Sequence, residues 1–350
     1  MDKEQFSGLI LIDKPKDLTS FSVISRLRLL TGIKKIGHCG TLDPFATGLL
    51  PVLFGRYTRL AKYLENHDKY YKVTFTLGKA TATLDLTSDV IAEIDPQSLE
   101  KRILSGELEQ SLQNSLKNQF IGEIEQIPPM YSAIKLNGKP LYKYARAGEE
   151  IERKSRKVTI YDASLSPIKY QEGKWQIDAL IHCEKGTYIR TWVDDLAKSV
   201  DCLAYAEELR RLQIGELKIE DKPVHLDDLF EIFNQNNRDQ TLIRKILKEK
   251  YFYPINDILS EFPSYSLNQN ELIDVSHGRK FSLNPDKINL FESEQTNSFQ
   301  IEATEQSKRI LLRLNYQNKL IALAKLKTET LEFDGYEKVL ITNEELPFIK

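Results

Sequence analysis

From Lys69 to Gly78 the chain alternates with a period of two, Tyr71, Val73, Phe75 and Leu77 on one face and Tyr70, Lys72, Thr74 and Thr76 on the other. This is the pattern of a strand half-buried against an apolar layer. Trp175, Ile177, Ala179, Ile181 and Cys183 repeat it, so distant segments supply strands. The run GLILIDKP at residues 8–15 is short, apolar and closed by proline, and reads as a buried strand. A helix follows, with Thr19 or Ser20 as its N-cap, a stripe at Phe21, Ile24, Leu27 and Leu30, and Gly32 at its C-terminal end. Past Gly186, Ile189, Trp192, Val193, Leu196 and Val200 form a second stripe with Thr187 as its cap. A third helix is expected near residues 203–212. Around NQNNRDQ, from Asn234, the character changes: residues 241–250 read as a basic helix and strand-like pieces begin near Tyr253. Residues 310–314 and 320–326 read as a hairpin, and 339–341 as a further strand. A single core stops growing near ~250–300 residues, so 350 residues imply a large domain and a smaller β-rich one.

Lys and Arg number 49 against 51 Asp and Glu, a net charge of −2. The balance conceals segregation. Residues 131–160 carry Lys135, Lys139, Lys143, Arg146, Arg153, Lys154, Arg156 and Lys157 against three Glu, whereas 81–125 hold nine acidic and three basic side chains. Cations interleaved with Tyr131, Tyr142 and Tyr144 suit phosphates and stacked bases together, although a solvated strip gives the same pattern. Three cysteines without a CxxC pair argue against a disulfide framework or a thiolate zinc site and fit a reducing cytoplasm. No run is apolar over the ~18–20 residues of a membrane span, and the start MDKEQFSGLI does not read as a secretory signal.

The densest stretch for chemistry is GHCGTLDPFATGLLP, residues 37–51, which shows neither a helical nor a strand period. Asp43 stands at its centre, restricted by Pro44, as a candidate nucleophile or base; the alternative is that Asp-Pro simply starts a turn or caps a helix over residues 45–50. His38 is either a substrate contact or a local hydrogen-bonder. The remaining histidines form no metal-binding spacing, and neither GxxxxGK[ST] nor GxGxxG is present, so no metal and no nucleotide cofactor is expected. Arg190 falls off the apolar stripe near the start of its helix, where a guanidinium can reach a carboxylate bidentately or simply face solvent. Tyr71 can pack in the core or cover a base.

Six ordered blocks resemble the bacterial tRNA pseudouridine synthase B family: GLILIDKPKDLTS (8–20), GHCGTLDPFATGLLP (37–51), KYYKVTFTLGKATATLD (69–85), IPPMYSAIKLNGKPLYKYARAG (127–148), CEKGTYIRTWVDDLA (183–197) and ELRRLQIG (208–215). The resemblance implies an α+β pseudouridine synthase fold over residues 1–233, with a central, mostly antiparallel sheet flanked by helices. Residues 127–157 match the insertion that closes over RNA as a thumb, 234–254 form a linker and helix, and 255–350 match a small PUA-like RNA-binding domain. It implies conversion of uridine 55 to pseudouridine in the T-loop of tRNA. Asp43 matches the catalytic aspartate, Tyr71 the tyrosine that stacks on the base and takes its C5 proton, and Arg190 the partner of the carboxylate. His38, Asp85, Tyr188 and Leu209 match substrate-lining positions, and Lys135, Lys139, Lys143 and Arg146 become backbone contacts. Because no atoms or electrons leave, no cofactor is implied. The partner is the tRNA T-arm, with no membrane, no obligate protein partner and a cytoplasmic monomer expected.

Other readings are a tRNA-folding chaperone in which catalysis is secondary, a guide-RNA-dependent relative, whose extra N-terminal segment has no counterpart before Gly8, and a glycosidase pairing Asp43 with Asp85. The chain departs from the family at Cys39, where a small or hydroxyl residue is usual and a cysteine is oxidisable, in residues 234–253, and in its tail, where SHGRKF is a thin match for a glycine-containing turn.

Overall fold

The computed structural model describes residues 6–132, 134–136, 138–289, 309–327 and 330–341. The chain opens with β1 (Gly8–Lys14), α1 (Ser20–Thr31), β2 (Ile36–His38), β3 (Thr47–Phe54), α2 (Ala61–Glu65) and β4 (Lys69–Leu77). It continues through β5 (Lys79–Thr81), β6 (Val90–Glu93), α3 (Pro96–Leu104), α4 (Glu107–Gln119), β7 (Gly122–Gln126), β8 (Lys135–Leu136), β9 (Lys139–Pro140) and α5 (Leu141–Arg146). Next come β10 (Arg156–Leu165), β11 (Lys169–Gln171), β12 (Lys174–Cys183), α6 (Ile189–Lys198), β13 (Ala204–Ile214), β14 (Leu217–Lys218), α7 (Leu226–Gln235) and α8 (Gln240–Ile246). The last part holds α9 (Ile255–Ile258), β15 (Ser264–Ser266), α10 (Gln269–Ser276), β16 (Ile288–Asn289), β17 (Arg309–Tyr316), β18 (Lys319–Lys327) and β19 (Phe333–Val339).

The main sheet runs β1-β3-β13-β4-β12-β10-β7, with β2, β11 and β14 on its flanks. Its pairings are antiparallel except β3 with β13, joined in parallel where Thr47 and Gly48 meet Arg210 and Arg211. Tyr71, Val73, Phe75 and Leu77 pack with Ile177, Ala179 and Ile181 of β12 beneath α4 and α6. In β1 and β3 alternate residues enter different cores. Ile10, Ile12, Leu50 and Val52 lie against α1, α7 and α8, while Leu9, Leu11, Leu49 and Leu53 lie against Leu60, Leu64, Ile258 and Leu323. Two-sided burial explains why these strands read as unbroken apolar runs. A second sheet, β16-β15-β17-β18-β19, has its own core around Tyr265, Leu312, Leu314 and Ala324. Among the described residues no helix is long and apolar enough to cross a membrane.

Helix α1 begins as expected: Thr19 has extended backbone angles and its side chain accepts from the Ser22 N–H at 2.9 Å. Removing that acceptor orphans a first-turn donor, so Thr19→Ala is expected to lower stability by about 1 kcal/mol, read from the urea midpoint. Phe21 departs from the expected stripe. It is 66% exposed, and Val23 takes the inward position with Ile24, Leu27 and Leu30.

Four further expectations are corrected. Residues 203–212 are not a helix but most of β13, a central strand between β3 and β4. Its Ala, Glu, Leu and Arg favour helix, but the pairing decides, and register shifts after Ala206 and Arg211 break the period of two. Thr187 does not cap α6; its hydroxyl donates to the Glu184 carbonyl at 2.8 Å, and Tyr188 is the N-cap with no side-chain cap bond. Residues 37–51 are not loop throughout, since His38 ends β2 and β3 begins at Thr47, which also excludes the helix over 45–50. Of residues 339–341, only Val339 belongs to a strand, the end of β19.

Candidate active site

The Asp43 loop is held from the N-terminal side of the sheet. Leu42 exchanges hydrogen bonds with the Ser20 hydroxyl, its N–H donating at 3.0 Å and its carbonyl accepting at 3.2 Å. The Asp17 N–H donates to the Pro44 carbonyl at 2.9 Å, and Lys14, fully buried at the end of β1, donates to the carbonyls of Pro15, Leu18 and Pro44. These contacts tie the Asp43 loop to the end of β1 and the start of α1.

Arg190 supplies the opposite charge from α6, two residues past the N-cap, and it is only 2% exposed, not a surface arginine. Its Nε lies 2.8 Å from Asp43 Oδ2 and its Nη2 donates to Oδ1 at 3.2 Å, a side-on bidentate pair. The rest of the guanidinium is also used. Nη1 donates to the Thr83 carbonyl at 2.7 Å and lies 3.3 Å from Asp85 Oδ2, and Nη2 donates to the Tyr131 carbonyl at 2.8 Å. Asp85 is buried and fixed in turn by the hydroxyls of Thr83 and Thr87 and by the Thr87 N–H. Glycosidase-like pairing of Asp85 with Asp43 is therefore unsupported: Asp85 spends its oxygens on Arg190 and the 83–87 turn.

The Asp43 carboxyl keeps 33% of its side chain open to solvent, enough for a ligand to reach it. Burial raises its pKa above the usual carboxylate value; Arg190 works against this, Asp85 adds to it, and Lys14 opposes it. The ion pair offsets burial without cancelling it. Lys14 is lowered to about 8 by burial, with Asp43 pulling the other way. His38, at the end of β2, is kept from protonating by burial and by Arg211, and its Nδ1 is buried without a hydrogen-bond partner. Burial raises the Tyr71 phenol, while a hydrogen bond from Arg211 pulls it down and Asp43 pushes it up. Tyr71 shares its core layer with Leu42, Phe45 and Leu209. Cys39 is fully buried and its thiol is pushed far up, which leaves little thiolate to oxidise.

Tyr188 stands at the entrance to α6, its ring 5.0 Å from the Arg156 guanidinium. Other cations of residues 127–157 pack on tyrosines of their own segment or face solvent. Lys139 covers the Tyr144 ring at 4.0 Å, Arg146 the Tyr142 ring at 5.6 Å, and Lys143 is exposed. The side chain of Lys135 lies outside the described residues. A cavity of about 530 Å³ opens at the far end of β4 beside Leu77, Trp175 and Tyr205 and touches none of these groups.

Sequence reasoning missed Arg211 and Lys14. Arg211 is 1% exposed and donates from Nε to the Leu49 carbonyl at 2.8 Å and from Nη2 to the Gly40 carbonyl at 2.9 Å, so it shapes the loop under Tyr71 and His38. Its signal is the RR pair inside ELRRLQIG, masked by the helical propensity of that stretch. Lys14 had only its position in DKP.

A family model described as TruB family pseudouridylate synthase (N terminal domain) matches residues 28–189. The tRNA pseudouridine synthase B of Blochmanniella pennsylvanica is 41% identical over 262 residues, 74% of this chain and 94% of that protein. That of Buchnera aphidicola subsp. Schizaphis graminum is 36% identical over 329 residues, 93% of this chain and 94% of its own length. Among solved structures, a chain from a Cbf5-Nop10-Gar1 complex superposes with a TM-score of 0.64 at 22% identity, covering 98% of this chain and 88% of that one. At that identity the likeness speaks for the fold alone.

Proposed function

This chain belongs to the TruB family of pseudouridylate synthases, and we propose that its target is uridine 55 in the T-loop of tRNA. It is an isomerase that converts uridine to pseudouridine in tRNA. The N1–C1′ bond of the nucleotide breaks, uracil turns, a C5–C1′ bond forms, and the C5 proton is lost as N1 gains one. The observation that carries the residue assignment is the solvent-reachable Asp43 carboxylate gripped side-on by a buried arginine.

Attack on C1′, addition to C6 and abstraction of a ribose proton all require Asp43 as an anion. Arg190 holds it so and fixes which lone pair faces outward. The uridine must leave its stack, at a cost of a few kcal/mol, offset by stacking in the pocket. Tyr71 supplies the ring and a phenol beside the reacting carbon, while neutral His38, Tyr188 and Leu209 line the approach. Asp85 orders Arg190 from behind. Residues 1–233 carry this chemistry, 127–157 clamp the RNA, 234–254 connect, and 255–350 add a PUA-like RNA-binding domain.

The test is incubation of the protein with unmodified tRNA transcript and no additive, followed by carbodiimide-stop mapping of pseudouridine. Product at position 55 supports the assignment, and its absence removes it. Because the Asp43 pKa is raised, the single-turnover rate is expected to fall on acidification through a value above that of an ordinary carboxylate, losing activity as the acid form accumulates. A limb at or below the ordinary value contradicts the enclosed site. Replacing Lys139, Lys143 and Arg146 by Ala is expected to weaken tRNA binding and to flatten the plot of log affinity against log salt by about one unit per lost phosphate contact. An unchanged slope in a filter-binding titration takes these cations out of the RNA contact.

A further inference from the structure

Residues 127–157 leave and rejoin the sheet through two residues that face each other. Gln126, the last of β7, and Arg156, the first of β10, are register partners. Both also grip Tyr188. The Gln126 amide, 1% exposed, brackets the Tyr188 peptide as a neighbouring strand would: the Tyr188 N–H donates to Oε1 at 2.8 Å and Nε2 donates to the Tyr188 carbonyl at 3.0 Å. Arg156 lays its guanidinium 5.0 Å from the Tyr188 ring centroid and donates from Nη2 to the Gly186 carbonyl at 2.5 Å. Tyr188 is the N-cap of α6 and has no side-chain cap bond, so these two residues set where the first turn begins. That turn carries Arg190. A third link closes the circuit, because Arg190 Nη2 donates both to Asp43 and to the Tyr131 carbonyl inside the 127–157 segment.

We propose that Gln126 and Arg156 are positioning residues that couple the seating of residues 127–157 on RNA to the geometry of the Arg190–Asp43 pair. A two-bond amide pairing in a dry setting tolerates little rotation, and α6 transmits a displacement of its first turn to Arg190 directly. A shift of about 1 Å at a reacting group can cost about 100-fold in rate. The stem of the clamp therefore reports on the chemical centre without touching the substrate uridine.

The proposal rests on the uridine isomerisation assigned above, and its test separates the two. Gln126→Met keeps the volume and removes both hydrogen bonds; Arg156→Lys keeps the charge and removes the stacked fork. Single-turnover rate, tRNA affinity by gel shift and the rate-versus-pH curve are measured for both beside the wild type. Expected is a rate lower by about 10–100-fold, with tRNA affinity unchanged. The acid limb should move to higher pH, because Arg190 opposes the raised Asp43 pKa while Asp85 and Lys14, the other charges facing Asp43, stay in place. A purely structural role would lower the melting temperature and leave the limb where it was. Should Gln126→Met fail to fold, Arg156→Lys decides alone. Folded Arg156→Lys with the wild-type rate and limb, or a rate lost only in proportion to tRNA affinity, overturns the coupling. An inactive wild type overturns the isomerase assignment instead.

Discussion

Asp43→Asn is expected to abolish pseudouridine formation, slowing single turnover by about 10⁴-fold or more, while the protein still binds tRNA. Asparagine fills the same space but cannot attack or abstract a proton. The fold should survive because Arg190 keeps three other acceptors, the Thr83 and Tyr131 carbonyls and Asp85. The cations of residues 127–157 proposed to contact RNA are untouched, so gel-shift affinity should stay within a few-fold of wild type. Pseudouridine mapping gives the first quantity and gel shift the second. Turnover within about tenfold of wild type would remove Asp43 from the chemistry. Loss of turnover together with retained tRNA refolding, followed by thermal melting of the transcript, would show that a chaperone activity coexists with catalysis and does not depend on it.

Gly48→Ala is expected to destabilise the protein by about 3–5 kcal/mol, among the largest effects a single methyl can have. Gly48 has φ +100°, which favours glycine. It also sits at the parallel contact between β3 and β13, where an added Cβ would lie 2.3 Å from the Arg211 carbonyl oxygen and 2.9 Å from its nitrogen. Both neighbours are backbone and cannot swing aside, so β3 and β13 would have to separate, and with them the bond from Arg211 to Leu49 that supports the Asp43 loop. Gly37, in the same motif, has no such constraint. A Cβ there meets only the Thr58 methyl at 3.8 Å, so Gly37→Ala should change stability by about 0.5 kcal/mol or less. Urea denaturation of the two variants makes the comparison. Equal midpoints would mean that the β3–β13 seam is looser than its geometry requires.

The candidate site is legible where its residues fall in the motifs that carry the family resemblance. GTLDP presents Asp43 on a stiff turn, and the KGTYIR stretch brings Arg190 to the start of a helix. Burial was harder to read: nothing local distinguishes a guanidinium facing solvent from one enclosed by Asp43, Asp85 and two carbonyls. Lys14 and Arg211 carry no local signal for the same reason, since each is defined by the backbone carbonyls it meets across the sheet.

The alternation in β4 and β12, the continuous run of β1 and the cap of α1 are properties of neighbouring side chains, and the order of residues alone determined them. Strand β13 was settled by tertiary structure. Its residues favour helix locally, and two register shifts erase the period of two, but pairing along β4, and with β3 at Arg210 and Arg211, occupies its backbone groups as a strand. The same pairing brings Arg211 under the Asp43 loop and Leu209 beside Val73. Local propensity differs by tenths of a kcal/mol per residue, whereas a buried strand without partners would leave a row of unpaired polar groups, so the sheet overrides the sequence at the place where the site is built.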